Sequence, residues 1–194
     1  MHLSDPDTIL MLEFQKGDVA SFETLMHKYY ARILNFLYRF VANREAAEDL
    51  TQEVFIRVYK SAATYRPEAQ LKTWIYTIAK NIALNELRKG HRHFVSLDEV
   101  LPSEEGSFKH QIEDRKAIHP RRELEKQERA RAVKRAIDEL PENQQLAVVL
   151  RRYEDLSHEE IAETMACSVS AVKSLLTRAK LNLKVKLEEY LKND

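Results

Sequence analysis

Apolar residues recur at intervals of three and four along most of this chain, which predicts amphipathic helices. Residues 8–16 read as a short helix stopped by Gly17-Asp18. Residues 21–41 follow, with Phe22, Leu25, Met26, Tyr29, Ile33, Phe36, Leu37 and Phe40 at helical spacing. Asn43 is placed to cap a helix over 44–61, whose stripe is Ala47, Leu50, Val54 and Val58 with Phe55 beside it. Residues 65–70 form a turn region held by Pro67. A long helix then covers 71–89, with Leu71, Trp74, Ile75, Ile78, Ala79, Ile82, Ala83 and Leu87 inward and Gly90 as its C-cap. Trp74 lies on that stripe, so core packing is the better reading of it than a stacking platform.

Periodicity lapses over 94–119, where Pro102, Gly106 and several serines mark a linker. It resumes over 121–139, with Leu124, Ala130, Val133 and Ile137 as a thin inner stripe, and again over 142–153, with Leu146, Val149 and Leu150 inward. The fold expected is all-α, with two small helical domains joined by a flexible linker. The boundaries are 1–93, 94–119 and 120–194.

The last of these parts contains the most specific local pattern. Ser157 and Glu160 form a capping box, with Ile161, Ala162 and Met165 on one face of the helix they open. Ala166-Cys167 is a break, and Ser168 can cap a second helix with Val172, Leu175, Leu176, Ala179, Leu183 and Leu187 inward. Ser170, Lys173, Ser174, Thr177, Arg178 and Lys180 then point outward. A short helix, a tight turn and a basic second helix with hydroxyl residues near its start is the helix-turn-helix pattern for a DNA major groove. Between Ser168 and Lys186 the chain has five basic residues and no acid.

Charge separates the faces of the other helices. The helix over 44–61 carries Glu45, Glu48, Asp49, Gln52 and Glu53, then Arg57 and Lys60, an order that also suits the helix dipole. The helix over 71–89 carries Lys72, Lys80, Asn81, Asn85, Arg88 and Lys89. The linker holds six acids against three bases, a net of −3. The whole chain nevertheless balances 31 basic against 31 acidic residues, which argues against a non-specific polycation while leaving patch-wise DNA binding open.

Composition narrows the classes further. With 194 residues, 44% of them hydrophobic, the chain can bury a core, and three glycines and five prolines suit helices. One cysteine excludes an internal disulfide and a cysteine-based zinc site. His91, His93, His110 and His119 have no carboxylate or thiol at ligand spacing, so no metal or other cofactor is expected. No phosphate loop, His-Glu-x-x-His or Gly-x-Ser-x-Gly is present, and Cys167 has no basic residue within a turn, so an enzyme is not expected. The start has no signal-peptide pattern and no apolar run spans a bilayer, which points to the cytoplasm without membrane insertion. Two other classes stay open on chemistry alone. One is a dimeric helix-turn-helix regulator with an N-terminal sensing domain; the other is a helical protein-interaction module whose acidic helix captures a basic partner.

Three stretches in order resemble the sigma-70 family of bacterial transcription initiation factors, in its small extracytoplasmic-function type. Asp49-Leu50-Thr51-Gln52-Glu53-Val54-Phe55 is similar to the D-L-x-Q-E-x-F segment of region 2. Residues 73–81, Thr-Trp-Ile-Tyr-Thr-Ile-Ala-Lys-Asn, are similar to T-W-L-x-x-I-A-x-N. Leu140-Pro141, Leu156-Ser157-x-Glu159-Glu160-Ile161-Ala162 and Ser170-Ala171-Val172-Lys173-Ser174 resemble region 4. The lack of a further domain between the halves matches the minimal type.

The resemblance implies a factor that binds core RNA polymerase, through its β′ and β subunits, and directs promoter-specific initiation of a stress or envelope-response regulon. It implies that Asp49, Gln52, Glu53 and Arg57 dock on the β′ coiled coil, where an acidic, amide-bearing face suits arginine groups. The turn before the next helix, with Lys72, Lys80, Asn81, Asn85, Arg88 and Lys89, is implied to hold the displaced strand of the −10 element, which needs cations and edge-reading amides. Ser170, Lys173, Ser174, Thr177, Arg178 and Lys180 are implied to face the −35 element in the major groove. The acidic linker is implied to thread polymerase channels that otherwise hold nucleic acid, and an anti-sigma factor is implied as a regulator. The chain departs from the family at Leu175, where a second basic residue is usual, so one phosphate contact is missing.

Overall fold

A computed structural model describes the backbone of residues 5–93 and 120–192, and the side chains of 5–88 and 128–188. The expectations for the linker, for the side chain of Lys89 and for Leu124 lie outside the described residues. Eight α-helices and one short 3-10 turn make up the described residues, with no strand. The first unit comprises α1 (Pro6–Gln15), α2 (Val19–Val41), α3 (Arg44–Ser61) and α4 (Leu71–His93), with the 3-10 turn Ala62–Thr64 after α3. The second comprises α5 (Pro120–Asp138), α6 (Glu142–Arg152), α7 (His158–Met165) and α8 (Val169–Lys192).

The first three helices start where a polar residue caps them. Asp5, Asp18 and Asn43 accept from the first-turn N–H groups of α1, α2 and α3. Gly17, at φ +106, supplies the left-handed turn between α1 and α2 that a side chain would strain. Two expectations change. α4 does not end at Gly90 but continues to His93; a helix can carry one glycine when neighbouring turns are good formers. On α5 the buried positions are Ala132, Ala136 and Ile137, whereas Ala130 and Val133 are exposed. α5 packs on α8 and α6 through its alanines, which let the helices approach closely and turn the stripe from the one periodicity suggested.

In the first unit α2 runs against α1, α3 and α4. Met11, Leu25, Ile33, Phe36, Leu37, Leu71 and Ile75 are fully buried there. α1 is tied down by polar contacts as well. Gln15 Nε2 donates to the carbonyls of Ala62 (2.6 Å) and Tyr65 (3.1 Å). The buried Asp7 carboxylate accepts from the Tyr29 hydroxyl and the Lys28 ammonium, both at 2.5 Å. Burial, then that carboxylate, push the Tyr29 hydroxyl well above the ordinary phenol range. In the second unit Leu146, Leu150, Leu156, Ile161 and Val172 bury between α6, α7 and α8.

The two units touch. α7 packs along α4, and the buried residues of both units form one continuous core. This adds Thr73 and Tyr76 to the buried face of α4, beyond the stripe that periodicity gives. The Tyr76 ring meets Phe36 edge-on, with centroids 5.5 Å apart.

Candidate nucleic-acid and polymerase interfaces

The face expected to meet polymerase is on α3. Asp49 and Gln52 are exposed, and Glu53 is half-buried. Arg57, four residues on from Glu53, is exposed and ion-paired to it. An exposed pair of this kind adds little stability but fixes two side chains on one ridge. Ile56 and Tyr59 are about half-exposed on the same helix, so an apolar strip runs beside the charged one. Glu53 and Arg57 also line a groove of about 330 Å³ together with Asn85, Glu86 and Arg88 of α4. The structure therefore joins two residue groups that are distant in sequence.

α4 divides its expected residues between two faces. At about 100° per residue, Lys72 and Lys80 flank Tyr76 by about 40° on either side, whereas Asn81, Asn85 and Arg88 lie about 120–180° away. Asn81, Asn85 and Arg88 are exposed, and Lys72 and Lys80 are half-buried. Lys80 comes close enough to Cys167, at the α7–α8 turn, for the two groups to act on each other electrostatically. Burial pulls its ammonium below the ordinary lysine range. Trp74 is half-buried against Tyr65, ring centroids 5.1 Å apart, in line with a packing role.

α8 keeps its expected residues together. Ser170, Lys173, Ser174, Thr177, Arg178 and Lys180 fall within an arc of about 160°. All are exposed except Ser174, which is half-buried. The local hydrogen bonds shape this face. The Ser157–Glu160 capping box is formed in both directions, at 2.6 and 3.1 Å. Ala166 takes a left-handed conformation, φ 52, which turns the chain between α7 and α8. Ser168 Oγ accepts from the N–H of Ala171 at 3.2 Å. Arg178 donates from Nη2 (2.7 Å) and Nε (3.2 Å) to Ser174 Oγ, so its guanidinium lies along the helix surface. Leu175 is half-buried, and Leu181 and Val185 are exposed farther along α8.

One group between the units went unnoticed in the sequence. Glu154, on the loop between α6 and α7, is buried and accepts from the Tyr76 hydroxyl of α4. Desolvation raises its carboxyl above the ordinary value; the Tyr76 hydrogen bond and the charges of Arg39, Arg32 and Lys72 pull the other way. Next to it the Arg39 guanidinium lies over the Tyr153 ring, 3.4 Å from the centroid. Asp155, at φ 52, turns the loop that carries both Tyr153 and Glu154. The only sequence sign was an acid beside an aromatic residue in a short inter-helix loop, and nothing in it names the partner. Among the described residues no cluster of metal-ligating side chains occurs, and no helix is long and apolar enough to cross a membrane.

Comparison with known proteins bears on these faces. Residues 25–93 match the family model described as Sigma-70 region 2, and residues 130–183 match that of Sigma-70, region 4. The chain is 33% identical over 196 residues to the RNA polymerase sigma-H factor of Pseudomonas aeruginosa, covering 99% of each. It is 31% identical to the ECF RNA polymerase sigma-E factor of Escherichia coli (strain K12), over 96% of each. Two solved structures share the fold. CnrH, in complex with the cytosolic domain of CnrY, matches with a TM-score of 0.66 at 19% identity, over 94% of this chain and 97% of that one. The sigma factor RpoE of Bartonella quintana, in complex with the anti-sigma factor NepR, matches with a TM-score of 0.64 at 21% identity, over 86% and 96%.

Proposed function

The chain belongs to the sigma-70 family of RNA polymerase sigma factors, in the extracytoplasmic-function type, and directs promoter-specific transcription initiation; from that premise we propose how its residues divide the work. Residues 1–93 form the unit that docks on core polymerase and opens the −10 element. Residues 120–194 form the unit that reads the −35 element, and residues 94–119 connect them. Asp49, Gln52, Glu53 and Arg57 meet the β′ coiled coil, and the second unit meets the β subunit. Asn81, Asn85 and Arg88, with Lys72, Lys80 and Lys89, hold the displaced −10 strand. Ser170, Lys173, Ser174, Thr177, Arg178 and Lys180 enter the −35 major groove. The observation that carries this division is the segregation of charge by helix: an acidic ridge on α3, whose Glu53 and Arg57 share a groove with Asn85 and Arg88 of α4, and a basic, hydroxyl-bearing arc on α8. A protein partner meets the first, and phosphates and base edges meet the second.

The factor performs no bond chemistry of its own; the polymerase does. It works in the cytoplasm, and an anti-sigma factor binds it there; the similar sigma factor RpoE of Bartonella quintana was solved in complex with the anti-sigma factor NepR. Two DNA-reading units on one chain bind jointly once polymerase fixes their spacing. Lys173→Ala tests the division. It is expected to weaken −35 duplex binding by the holoenzyme several-fold and to lower the salt slope by about one charge. Association with core polymerase in a pull-down should be unchanged, and loss of that association would mean that the helix roles are misassigned.

A further inference from the structure

α1 precedes the region 2 match, which starts at residue 25, and the proposed division of work gives it no part. It is held on α2 by its own contacts: Met11 is fully buried, and the buried Asp7 carboxylate accepts from Tyr29 and Lys28. Two further side chains of α1 reach residues 62–70, the connection between α3 and α4. Gln15 Nε2 bridges the carbonyls of Ala62 (2.6 Å) and Tyr65 (3.1 Å). The hydroxyl of Thr8, a fully buried residue, lies 3.2 Å from the hydroxyl of the buried Tyr65. Thr8 already donates to Asp5 at 2.8 Å, so the phenol is the donor between the two. The same phenol lies 3.3 Å from the Ala69 carbonyl.

We propose that α1 is a positioning element for the −10 strand: Gln15, with the Thr8–Tyr65 pair, sets the shape in which residues 65–70 receive single-stranded DNA. A side chain that touches no nucleic acid then fixes which bases the turn accepts. The inference rests on the reading of the turn before α4 as part of the −10 side.

Three observations favour positioning over simple bracing. Within residues 65–70 a single backbone hydrogen bond occurs among the described residues, from the Glu68 N–H to the Arg66 carbonyl at 2.8 Å, so the turn takes its shape from side chains outside it. Gln15 itself is exposed and α1 is anchored elsewhere, so the two bonds of its amide act on the turn more than on the core. The third is the direction of one peptide plane. In a trans peptide the carbonyl and the following N–H point opposite ways. Drawing the Tyr65 carbonyl to Gln15 therefore aims the Arg66 N–H away from α1, and no backbone acceptor takes it among the described residues. That leaves a fixed donor beside the exposed Arg66 and Glu68 side chains, of the kind that meets a base edge or a phosphate oxygen.

The test uses the full-length chain reconstituted with bacterial core polymerase and a random-sequence pool of single-stranded DNA. Sequencing the bound strands gives the base preference. Titrating the strand the parent prefers, fluorescein-labelled, gives the affinity and its salt slope. Gln15→Glu sets a carboxylate against two carbonyl oxygens and turns the 65–66 peptide away. It is expected to flatten the base preference and to weaken the preferred strand about tenfold. Binding of the bulk pool and the salt slope should hold, because no cation is lost. Tyr65→Phe keeps the ring on Trp74 and should flatten the preference to a smaller extent. Gln15→Lys restores a donor for the two carbonyls and should recover the parent's preference. Lys16→Gln, an adjacent exposed cation paired to Glu13, should leave the preference as it is. An unaltered preference in Gln15→Glu, or a loss by the same factor for every strand, overturns the proposal. Arg66→Ala and Glu68→Ala separate it from the reading beneath it. If they shift the preference and Gln15→Glu does not, α1 alone is misread. If they too leave it unaltered, the turn does not meet the −10 strand, and the proposal falls with that reading.

Discussion

α4 and α8 are nearly equal in length, 23 and 24 residues, and both carry lysine, arginine and small polar residues opposite an apolar stripe. Their surroundings differ. α8 leans on α5, α6 and α7 with its apolar side and leaves its polar arc in water. α4 is packed on two sides, by α2 and α3 of its own unit and by α7 of the other, so only Thr77, Asn81, Asn85 and Arg88 and their neighbours remain on the open arc. A helix that reads duplex DNA from outside needs one free face, which α8 retains. A helix that follows a displaced strand needs a longer path, and in the closed chain, with the two units in contact, α4 offers only part of it. Under the proposed assignment of α4 to the −10 strand, that difference places control on the −10 side.

The largest expected effect breaks the comparison by removing the cover. Leu156 is fully buried at the loop that carries Glu154 into the first unit. Leu156→Ala should cost about 2–5 kcal/mol of stability in urea unfolding. If the cover on α4 depends on that loop, hydrogen exchange should rise along α4 as well as in α7.

A narrower change sharpens it. Tyr76→Phe keeps the ring edge-on to Phe36 and removes only the hydroxyl that Glu154 accepts from. It should weaken closure by about 1–3 kcal/mol, the penalty of leaving a buried acceptor without its donor. Thiol labelling of Cys167, half-buried against the shared core, should accelerate, with the thermal signature of α8 unchanged.

Ser157→Ala acts on the other helix. It removes the side-chain half of the capping box that opens α7. About 1 kcal/mol should be lost. The melting point should fall by a few degrees. α8 should then lose orientation and −35 affinity while the contacts of α4 within its own unit persist.

The smallest effect is that of pH. The carboxyl of Glu154 has a raised pKa in the closed form, chiefly from desolvation, against an ordinary value of 4.5. Closure therefore binds a proton. Its contribution is fully present below the ordinary carboxylate value and is lost as pH rises through the raised one. Scattering should report a slightly more compact chain as pH falls from neutral through the carboxylate range, and Glu154→Gln should flatten the trend.

Much of this molecule was legible in its residues. Asn43, Ser157 and Ser168 marked helix starts because a short polar side chain that caps an N–H acts within one turn. The polar arc of α8 followed from periodicity, since nothing distant packs on it. Local signals gave a weaker result where they were small: Ala132 and Ala136 are the packing face of α5, and alanine weighs too little in an apolar pattern to outrank Val133. Gly90 looked like a stop, yet α4 passes through it.

The sequence by itself determined the helices, their caps, the family motifs and the sets of charged residues, because these depend on neighbours within a few positions. Only the tertiary structure decided which charged residues are free. Lys72, Lys80 and Asn81 are all polar breaks in the apolar stripe of α4, but on the wheel Lys72 lies about 180° and Lys80 about 100° from Asn81; the lysines are half-buried on the side that meets α7, and Asn81 is exposed. Glu154 is an unremarked loop acid until the fold brings it to Tyr76, 78 positions away in the chain. The physical reason is that burial and electrostatic partnership are properties of what packs opposite, and a residue's own stretch of chain carries no record of that.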